Sequence, residues 1–576
     1  MATRQITASP SHLMVEQLVA SGVKYVFYNP GSREAPFFDA LHSHPDINGI
    51  VALHEGSVTA MAGGYTQVRN DPAVMTVHLG AGLAQSMGQL INVWTGSLPV
   101  VVITFAGDTG SFADRIGLDI SHSFGPTSPA APFVKASWTV IEPEGLPAAI
   151  ERALRVAKTP PVGPVHLAIY DRLLGKEQVT ADILEGEIPD LRAGYPSESD
   201  LESLASALHD AERPLLYVGD GVWKSGAEER LTALAEHFGA AVATTFGDAR
   251  GVSVAHPLHC GRLDRAVAAL DPDHIICIGV RHGGSGTPGD YAPFAGAKRV
   301  VALGSDVANL QNIPGLDLGI LADERRALER LGELVLSESE PGRYDERRAR
   351  ARAVAAELRT ERRDRLQPGS PQPGRVRPVA LLDALDAELE RVGGGLITTE
   401  QFATPLDCVP AKDGGGANTY IRPAGGSEGY GIGAALGAKL AAPDRPVVGL
   451  VGDGSLYYTD SGLWTGAHHG IPVLYVIPNN AAYGIVATIF GAAGGQMRES
   501  GQYAGVALEG IDPVVIAGGF GVEGERVDDE TQVGDAIARG LATVEREKRP
   551  YLLDVRLPSG LPHGGRPAAP FQLADA

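Results

Sequence analysis

Short runs of β-branched and other apolar residues recur along the chain, and each run ends near a glycine, a proline or an aspartate. Val74–Val77, Pro99–Phe105 and Val165–Tyr170 are examples, and stretches with the apolar period of an amphipathic helix, such as Val58–Arg69, lie between such runs. Parallel strands need long crossover connections, which are usually helices. The alternation therefore predicts an α/β fold of doubly wound parallel sheets with helices on both faces.

The alternation occurs in three blocks, and 576 residues are more than one hydrophobic core usually serves. We predict three doubly wound domains, at 1–182, 200–340 and 379–557. The Arg- and Glu-rich segment 343–377 predicts a solvated helix followed by a Pro-rich spacer. The last stretch, 558–576, is rich in Gly and Pro, and the sequence leaves open whether it is a tail or folds over a site.

The charge balance excludes one large class of function. The chain has 48 Lys and Arg residues against 69 Asp and Glu residues, a net charge of −21, whereas nucleic-acid binding requires clustered cations. Cys260, Cys277 and Cys408 lie far apart, which argues against a disulfide framework and against a zinc site. No apolar run approaches a membrane span of about 18 residues. We therefore expect a cytoplasmic protein that binds neither nucleic acid nor a membrane.

The most specific signal for chemistry is Val451–Ser455, which reads VGDGS and ends an apolar run. Asn480 follows Asp453 by 27 residues, again at the end of an apolar run. Open α/β sheets bind ligands at the carboxyl ends of their strands, where both segments are predicted. A carboxylate, an amide oxygen and a backbone carbonyl suit Mg²⁺, and Gly452 and Gly454 allow the backbone to approach a diphosphate. The alternative, two unrelated Asx turns, would not require this spacing.

The middle block contains a glycine motif of lower specificity. Val218–Gly221 reads VGDG at the end of an apolar run, but it lacks the full G-x-G-x-x-G spacing of a dinucleotide loop. We interpret this block as a Rossmann-like structural domain, and the sequence leaves open whether it binds a nucleotide.

The G-D-G motif followed by N-N at this distance resembles the diphosphate-binding motif of thiamine-diphosphate-dependent enzymes, in the superfamily of acetolactate synthases and 2-oxo acid decarboxylases. The surrounding sequence looks most like the benzoylformate decarboxylases. The resemblance continues in Asn29–Phe37, Ala52–Glu55 and Val77–Gly80. It implies a pyrimidine-binding first domain, a middle domain that has often lost any cofactor, and a diphosphate-binding third domain. It also implies a homodimer or homotetramer in which each site forms between two chains.

The resemblance implies cofactor and substrate contacts in the third block. Asp453, Asn480 and the carbonyl of Ala482 would hold Mg²⁺. Ile485 and Ile489 match positions that line the substrate pocket, although an i, i+4 apolar pair serves equally well as core. One group of residues would contact thiamine diphosphate: Gly426, Ser427, Glu428, Gly452, Asp453, Gly454, Ser455, Asn480 and Tyr483.

Three residues of the first block match catalytic positions of this family. Glu55 matches the glutamate that contacts the aminopyrimidine ring and favours its imino form; taken alone, it reads as a first-turn acid that stabilises a helix dipole. Ser32 and His78 match positions that contact the substrate carboxylate and transfer protons, and their alternatives are a turn serine and a strand-end histidine. The family has a second histidine in the middle domain, where His282 is a few residues out of register.

Glu428 is the sharpest departure from the family pattern. It lies in Gly425–Gly431, at a position where the family usually has the Leu, Met or Ile that holds the cofactor in a bent shape. A carboxylate there would stand beside the reacting carbon as an acid, a base or an electrostatic partner, and it would oppose a substrate carboxylate. The alternative is that the loop shifts and Glu428 points elsewhere.

Together these features predict a thiamine-diphosphate- and Mg²⁺-dependent lyase that cleaves a C–C bond beside a carbonyl. In the first hypothesis, an aromatic or branched 2-oxo acid loses CO₂ and gives an aldehyde through an enamine intermediate. A carboligase and a 2-hydroxyacyl-CoA lyase with the same cofactor are alternatives among enzymes. The alternative that is not an enzyme is a non-catalytic relative of the fold, and the joint presence of Glu55, Asp453 and Asn480 argues against it.

Overall fold

The computed structural model describes residues 2–107, 125–175, 177–245, 250–281, 292–336, 342–366 and 372–570. Three six-stranded sheets lie within them, and neighbouring strands in each sheet are parallel. The predicted fold of three doubly wound α/β domains is confirmed. His282 lies outside the described residues.

The first domain has its helices on both faces of one six-stranded sheet. Its elements are β1 (Ala2–Ala8), α1 (Pro10–Ala20), β2 (Tyr25–Tyr28), α2 (Ala35–Ser43), β3 (Asn48–Val51), α3 (Glu55–Arg69), β4 (Ala73–His78), α4 (Ala81–Thr95), β5 (Val100–Ala106), β6 (Ala136–Val140), α5 (Leu146–Lys158), β7 (Val165–Tyr170) and β8 (Val179–Glu185). The sheet has the order β3-β2-β4-β5-β7-β6, and β1 and β8 form a separate antiparallel pair.

The middle domain follows a polar connection and begins with a helix whose Ser197 and Asp200 form a capping box. Its elements are α6 (Glu198–Asp210), β9 (Pro214–Val218), α7 (Gly221–Ser225), α8 (Glu228–Phe238), β10 (Ala241–Thr244), β11 (His259–Arg262), α9 (Leu263–Leu270), β12 (His274–Ile278), β13 (Arg299–Gly304), α10 (Val307–Leu310), β14 (Leu318–Leu321) and α11 (Glu324–Val335). The sheet has the order β11-β10-β9-β12-β13-β14.

A long helix, α12 (Asp345–Arg365), leads to the third domain. That domain contains α13 (Pro378–Arg391), β15 (Leu396–Glu400), β16 (Thr419–Ile421), α14 (Gly431–Ala441), β17 (Val447–Val451), α15 (Asp453–Leu456), α16 (Gly462–His469), β18 (Leu474–Asn479), α17 (Gly484–Ala493), α18 (Gln496–Ser500), β19 (Gln502–Tyr503), α19 (Pro513–Gly519), β20 (Glu523–Val527), α20 (Val533–Glu547), β21 (Tyr551–Arg556) and β22 (Arg566–Pro567). The six-stranded sheet has the order β16-β15-β17-β18-β21-β20, and β19 pairs with β22.

The first and third sheets share one topology, in which the first strand of the sheet lies between the second and the third. The chain therefore leaves two adjacent strands in opposite directions, and this divergence opens a crevice at their carboxyl ends. The crevice lies between β2 and β4 in the first domain and between β15 and β17 in the third. The middle sheet has the strand order of dinucleotide-binding Rossmann folds, with its crevice between β9 and β12.

Helices α3 and α14 join the two outer domains at close range. A Cβ atom on Gly64 would lie 2.2 Å from the carbonyl oxygen of Ala434, and one on Gly437 would lie 2.0 Å from that of Met61. Small residues therefore set the distance between these helices. One buried cluster contains side chains of both domains, such as Phe27 and Val451, so the outer domains of one chain share a core.

Among the described residues, no helix combines the length and the apolar character that a bilayer crossing requires.

Candidate active site

A cleft of about 390 Å³ opens at the crevice of the third sheet. The segments that follow β15 and β17 form two of its walls, and Pro558 and Gly560 form another, so the start of the C-terminal stretch lies against the cleft. Nine of the predicted site residues line it: Glu428, Gly452, Asp453, Gly454, Ser455, Asn480, Ala482, Tyr483 and Ile485.

Asp453 presents the donor atom that a cation would use. Its side chain is 2% exposed, and among the described residues its Oδ2 has no hydrogen-bond partner. Burial raises the pKa of this carboxyl to about 6. Asn480 lies in the same cleft and donates its amide to the carbonyl of Ser559 at 3.1 Å, which leaves its Oδ1 as an acceptor. An orphaned buried carboxylate oxygen beside amide and carbonyl oxygens fits Mg²⁺.

Gly454 is required for close packing in the G-D-G turn. A Cβ atom at this position would lie 2.7 Å from Cε1 of Tyr483. The tyrosine ring therefore lies against the turn, and Gly454 and Tyr483 together form one side of the cleft. A backbone surface of this kind, without side chains, suits a diphosphate.

Glu428 points into the cleft. Its Oε2 accepts a hydrogen bond from the Ser455 hydroxyl at 2.5 Å, and its carbonyl accepts one from the Gln89 amide at 2.7 Å. Asn92 donates to the carbonyl of Ser427 at 2.7 Å and accepts from its N–H at 3.2 Å. Two amides of α4 thus hold this loop, while the predicted contacts Gly426 and Ser427 do not line the cleft.

Glu400, which the sequence analysis did not identify, lies next to Glu428. It ends β15, is 5% exposed, and accepts hydrogen bonds from the N–H groups of Tyr430 at 3.0 Å and Gly431 at 2.6 Å. Burial, and secondly the charge of Glu428, raise its pKa to about 8. The signal was present as a charged residue at the carboxyl end of a buried strand.

The pKa of Glu400 predicts a pH-dependent stability. A carboxyl whose pKa is higher in the folded than in the unfolded chain makes the folded chain less stable as pH rises from about 4.5 to about 8. We expect the free energy of unfolding of the apoprotein to decrease by about 2 kcal/mol between pH 6 and pH 8 because of this group, and Glu400→Gln to remove that decrease. Unfolding by urea across this pH range measures it. Glu202→Gln, at an exposed position of α6, is the control, and equal slopes in wild type and Glu400→Gln would contradict the prediction.

The crevice of the first sheet holds His78 at the end of β4. Its Nδ1 lies 2.6 Å from Oε1 of Glu34, whose side chain is 1% exposed. A Cβ atom on Gly31 would lie 2.6 Å from the same Nδ1, so this glycine lets the loop after β2 lie against the histidine. Ser32 follows on that loop and is exposed. Glu34 is a second residue that the sequence analysis missed, because its partner is 44 positions away.

Glu55 is the first residue of α3, which the side chain of His54 caps. Its Oε1 lies 3.0 Å from the position that a Cβ on Gly82 would take. A Cβ atom on the adjacent Gly56 would lie 3.6 Å from Cγ of Gln89, whose amide reaches the carbonyl of Glu428. Gln89 therefore connects the start of α3 with the cleft within one chain. The two-chain site stays a prediction.

The remaining predicted site residues lie apart from the cleft. Ser32, Glu55 and His78 belong to the first-domain crevice and are not among the residues that line the third-domain cleft. Ile485 lines the cleft with 41% of its side chain exposed, whereas Ile489 is 61% exposed and lies outside the lining.

Charged side chains of the protein line the crevice of the middle sheet. Asp220, at its edge, forms ion pairs with Lys224 at 2.5 Å and with Arg281. A Cβ on Gly219 would lie 2.3 Å from the carbonyl oxygen of Gly279, so the glycine allows two backbones to pack. This packing accounts for Gly219 in the VGDG motif.

Comparisons with known proteins agree with this arrangement. The family models for the N-terminal, central and C-terminal domains of thiamine pyrophosphate enzymes match residues 9–122, 201–331 and 415–555. Benzoylformate decarboxylase of Pseudomonas aeruginosa is 30% identical over 94% of this chain and 97% of its own length. The acetolactate synthase large subunit of Corynebacterium glutamicum is 28% identical over 96% of this chain and 88% of its own.

Solved structures with the same overall fold include a thiamine diphosphate-dependent 4-hydroxybenzoylformate decarboxylase of Rhodococcus jostii RHA1. Its TM-score is 0.79 at 26% identity, over 96% of this chain and 99% of that chain. The benzoylformate decarboxylase of Polynucleobacter necessarius has a TM-score of 0.78 at 23% identity, over 97% of this chain and 100% of that chain, which speaks for the fold alone.

Proposed function

Since this chain belongs to the thiamine pyrophosphate enzyme family and is a 2-oxo acid decarboxylase-like member of it, we propose that it removes CO₂ from an aromatic or branched 2-oxo acid and releases the aldehyde. The observation that carries the proposal is one cleft that unites the orphaned Oδ2 of Asp453, the open backbone of Gly454 and the apolar side chain of Ile485. These supply a metal ligand, a diphosphate surface and an apolar wall for a substrate.

Thiamine diphosphate, when bound, supplies the electron sink for cleavage of a C–C bond beside a carbonyl. We infer that Asp453, Asn480 and the carbonyl of Ala482 hold Mg²⁺, and that Gly452, Gly454, Ser455 and Tyr483 surround the diphosphate. Glu55 would hold a proton between its carboxylate and a ring nitrogen of the cofactor. Because Glu34 engages Nδ1 of His78, we infer that this histidine transfers protons through Nε2, with Ser32 beside it as a hydrogen-bond donor to the substrate.

The direct test is turnover of benzoylformate and of branched 2-oxo acids by the full chain with thiamine diphosphate and Mg²⁺. We expect release of CO₂ with one equivalent of aldehyde. If no 2-oxo acid of either class loses CO₂, while the protein binds the cofactor, decarboxylation is not the function.

Glu428 favours carboligation as a second candidate. Glu428 presents its carboxyl group to the cleft, where its Oε2 accepts a hydrogen bond from the Ser455 hydroxyl. A negative charge there opposes the carboxylate of a second 2-oxo acid, so it favours an uncharged carbonyl compound as the second substrate. Addition of an aldehyde to the reaction distinguishes carboligation from simple decarboxylation, because a carboligase converts part of the 2-oxo acid into a hydroxy ketone.

Removal of the Glu428 charge is expected to accelerate simple decarboxylation. We expect Glu428→Leu to raise kcat/KM for benzoylformate by about tenfold, because the carboxylate repels the carboxylate of the substrate. Glu428→Gln keeps the shape and removes the charge, so an equal gain identifies charge as the cause, whereas a gain only in the leucine variant identifies support of the cofactor. Steady-state kinetics measure both, and unchanged rates in both variants would contradict the prediction.

A further inference from the structure

A second cleft, of about 520 Å³, lies beside the one that holds Asp453. Its walls come from the ends of β10 and β11 in the middle domain, from the last turn of α12, and from the segment 401–408 of the third domain. The nine site residues named above take no part in its lining. It is therefore a separate space.

This second cleft is strongly basic. Its lining has five arginines against two acids, Asp264 and Asp407, in a chain of net charge −21, and Glu361 outside the lining pairs with Arg365. A local excess of one sign in a concave surface concentrates ligands of the opposite sign. The arginines of its lining are Arg262, Arg265, Arg362, Arg365 and Arg422.

Part of this positive charge has no neutralising partner. Arg265 is exposed and forms no hydrogen bond or ion pair with any described residue. Behind the cleft, Arg359 is 6% exposed and donates to the carbonyls of Val254, His256 and His259 instead of a carboxylate. Its Nε has no partner among the described residues. Arg359 does not line the cleft, but its charge adds to the positive potential behind it.

The second cleft borders the first, because Gln401 and Phe402 line both. The side chain of Gln401 fixes the turn, since it accepts a hydrogen bond from the N–H of Thr404 at 2.8 Å and donates to its carbonyl at 3.1 Å. Phe402 is 43% exposed, and the guanidinium of Arg422 lies 5.4 Å from its ring centre. Phe402 therefore stands at the border of the two clefts, and a molecule that extends from the first cleft to the arginines would pass this ring.

We propose that the arginine cleft binds an anionic group, carboxylate or phosphate, at the end of the substrate remote from its reacting carbonyl. Guanidinium groups bind both anions through paired N–H donors, which neutral walls do not offer. The inference rests on the proposed function, because it uses the first cleft as the place of reaction. The proposal restricts the substrate class to elongated 2-oxo acids that carry a second negative charge at the end remote from the reacting carbonyl.

The test compares two substrates on the holoenzyme: benzoylformate with a para-linked alkyl chain that ends in a carboxylate, and the same molecule with a terminal carboxamide. We expect the carboxylate to have a KM about tenfold lower, and Arg262→Gln/Arg265→Gln to abolish this preference. The control Arg546→Gln removes an arginine of α20 outside the cleft, and we expect it to retain the preference for the carboxylate substrate. Equal KM values in the wild type, or a preference that survives in the double variant, would overturn the proposal.

A binding measurement separates this inference from the proposed function. Inorganic triphosphate is titrated calorimetrically into protein saturated with thiamine diphosphate and Mg²⁺, so that the first cleft is occupied. We expect binding in the wild type and in Arg546→Gln and its loss in the double variant, whether or not benzoylformate is turned over. Absence of binding in the wild type would refute the arginine cleft. If triphosphate binds but the carboxylate and carboxamide substrates have equal KM values, the cleft binds a free anion and not the remote end of the substrate.

Discussion

Glu55→Gln is expected to reduce kcat on benzoylformate by a factor of about 100 or more, with little change in stability. A glutamine keeps the shape of the side chain but does not exchange a proton with a ring nitrogen of the cofactor. The decisive measurement is exchange of the cofactor's C2 proton in the holoenzyme, followed by NMR, because it needs no substrate. We expect the exchange rate to decrease by a similar factor.

The matched control for Glu55 is Glu229→Gln. Both glutamates lie in the first turn of a helix, so both substitutions remove the same interaction with a helix dipole, which is typically below 1 kcal/mol. If Glu55 serves only the helix, the two variants will lose similar small amounts of stability, and Glu55→Gln will retain its activity and its proton exchange. That result would also favour a non-catalytic relative of the fold.

Asp453→Asn is expected to weaken Mg²⁺-dependent binding of thiamine diphosphate by at least about 100-fold. The substitution replaces the orphaned carboxylate by a neutral amide, and even indirect partners of a metal contribute factors of about 10 to 100 to its affinity. The effect on the apoprotein has the opposite sign. Burial raises the pKa of Asp453 to about 6, so the ionised group destabilises the apoprotein at neutral pH. We therefore expect the apo form of Asp453→Asn to have a higher Tm than apo wild type at pH 7.

Thermal unfolding with and without cofactor and Mg²⁺ tests both the weaker cofactor binding and the higher Tm of the apoprotein. A ligand at about 100 times its Kd stabilises a protein by about 2.7 kcal/mol, so the wild type should gain a clear increase in Tm that the variant lacks. Asp460→Asn, at a position of the same connection that does not line the cleft, is the control. If the cofactor and Mg²⁺ raise the Tm of Asp453→Asn as much as that of the wild type, Asp453 is not a ligand of the metal.

The fold and the centre of the cleft could be predicted because both depend on local patterns. The alternation of apolar runs identified the three sheets, and the G-D-G turn lies directly after β17. Family resemblance then placed Glu428 in the same cleft, where the structure has it. In each case the informative residues are close to one another in the chain.

The residues that were missed act across long sequence separations. Glu34 and His78 meet because β2 and β4 are neighbours in the sheet, and Glu400 caps α14 from a strand 30 positions away. The charged segment after residue 343 was predicted as a solvated helix, yet Arg359 of that helix is buried and Arg362 pairs with Asp407. The buried face of this helix could not be predicted from its own sequence, because the residues that cover it belong to other parts of the chain.

The charged crevice of the middle domain has a consequence for the first domain. Beside the ion pairs of Asp220, Lys224 donates to the carbonyl of Gly96, and Asn70 donates to the carbonyl of Lys224 at 2.7 Å. The end of α3 is thereby anchored to the middle domain, while Glu55 stands at its beginning.

Helix α3 is 15 residues long, or about 22 Å at 1.5 Å per residue. A tilt of about 5° at the anchored end would therefore displace Glu55 by about 2 Å, more than the misplacement of about 1 Å that can cost two orders of magnitude in rate. Through Asn70 and Lys224, the middle domain therefore holds the end of α3 that is opposite Glu55, and a change at these contacts would shift the glutamate that we propose as catalytic.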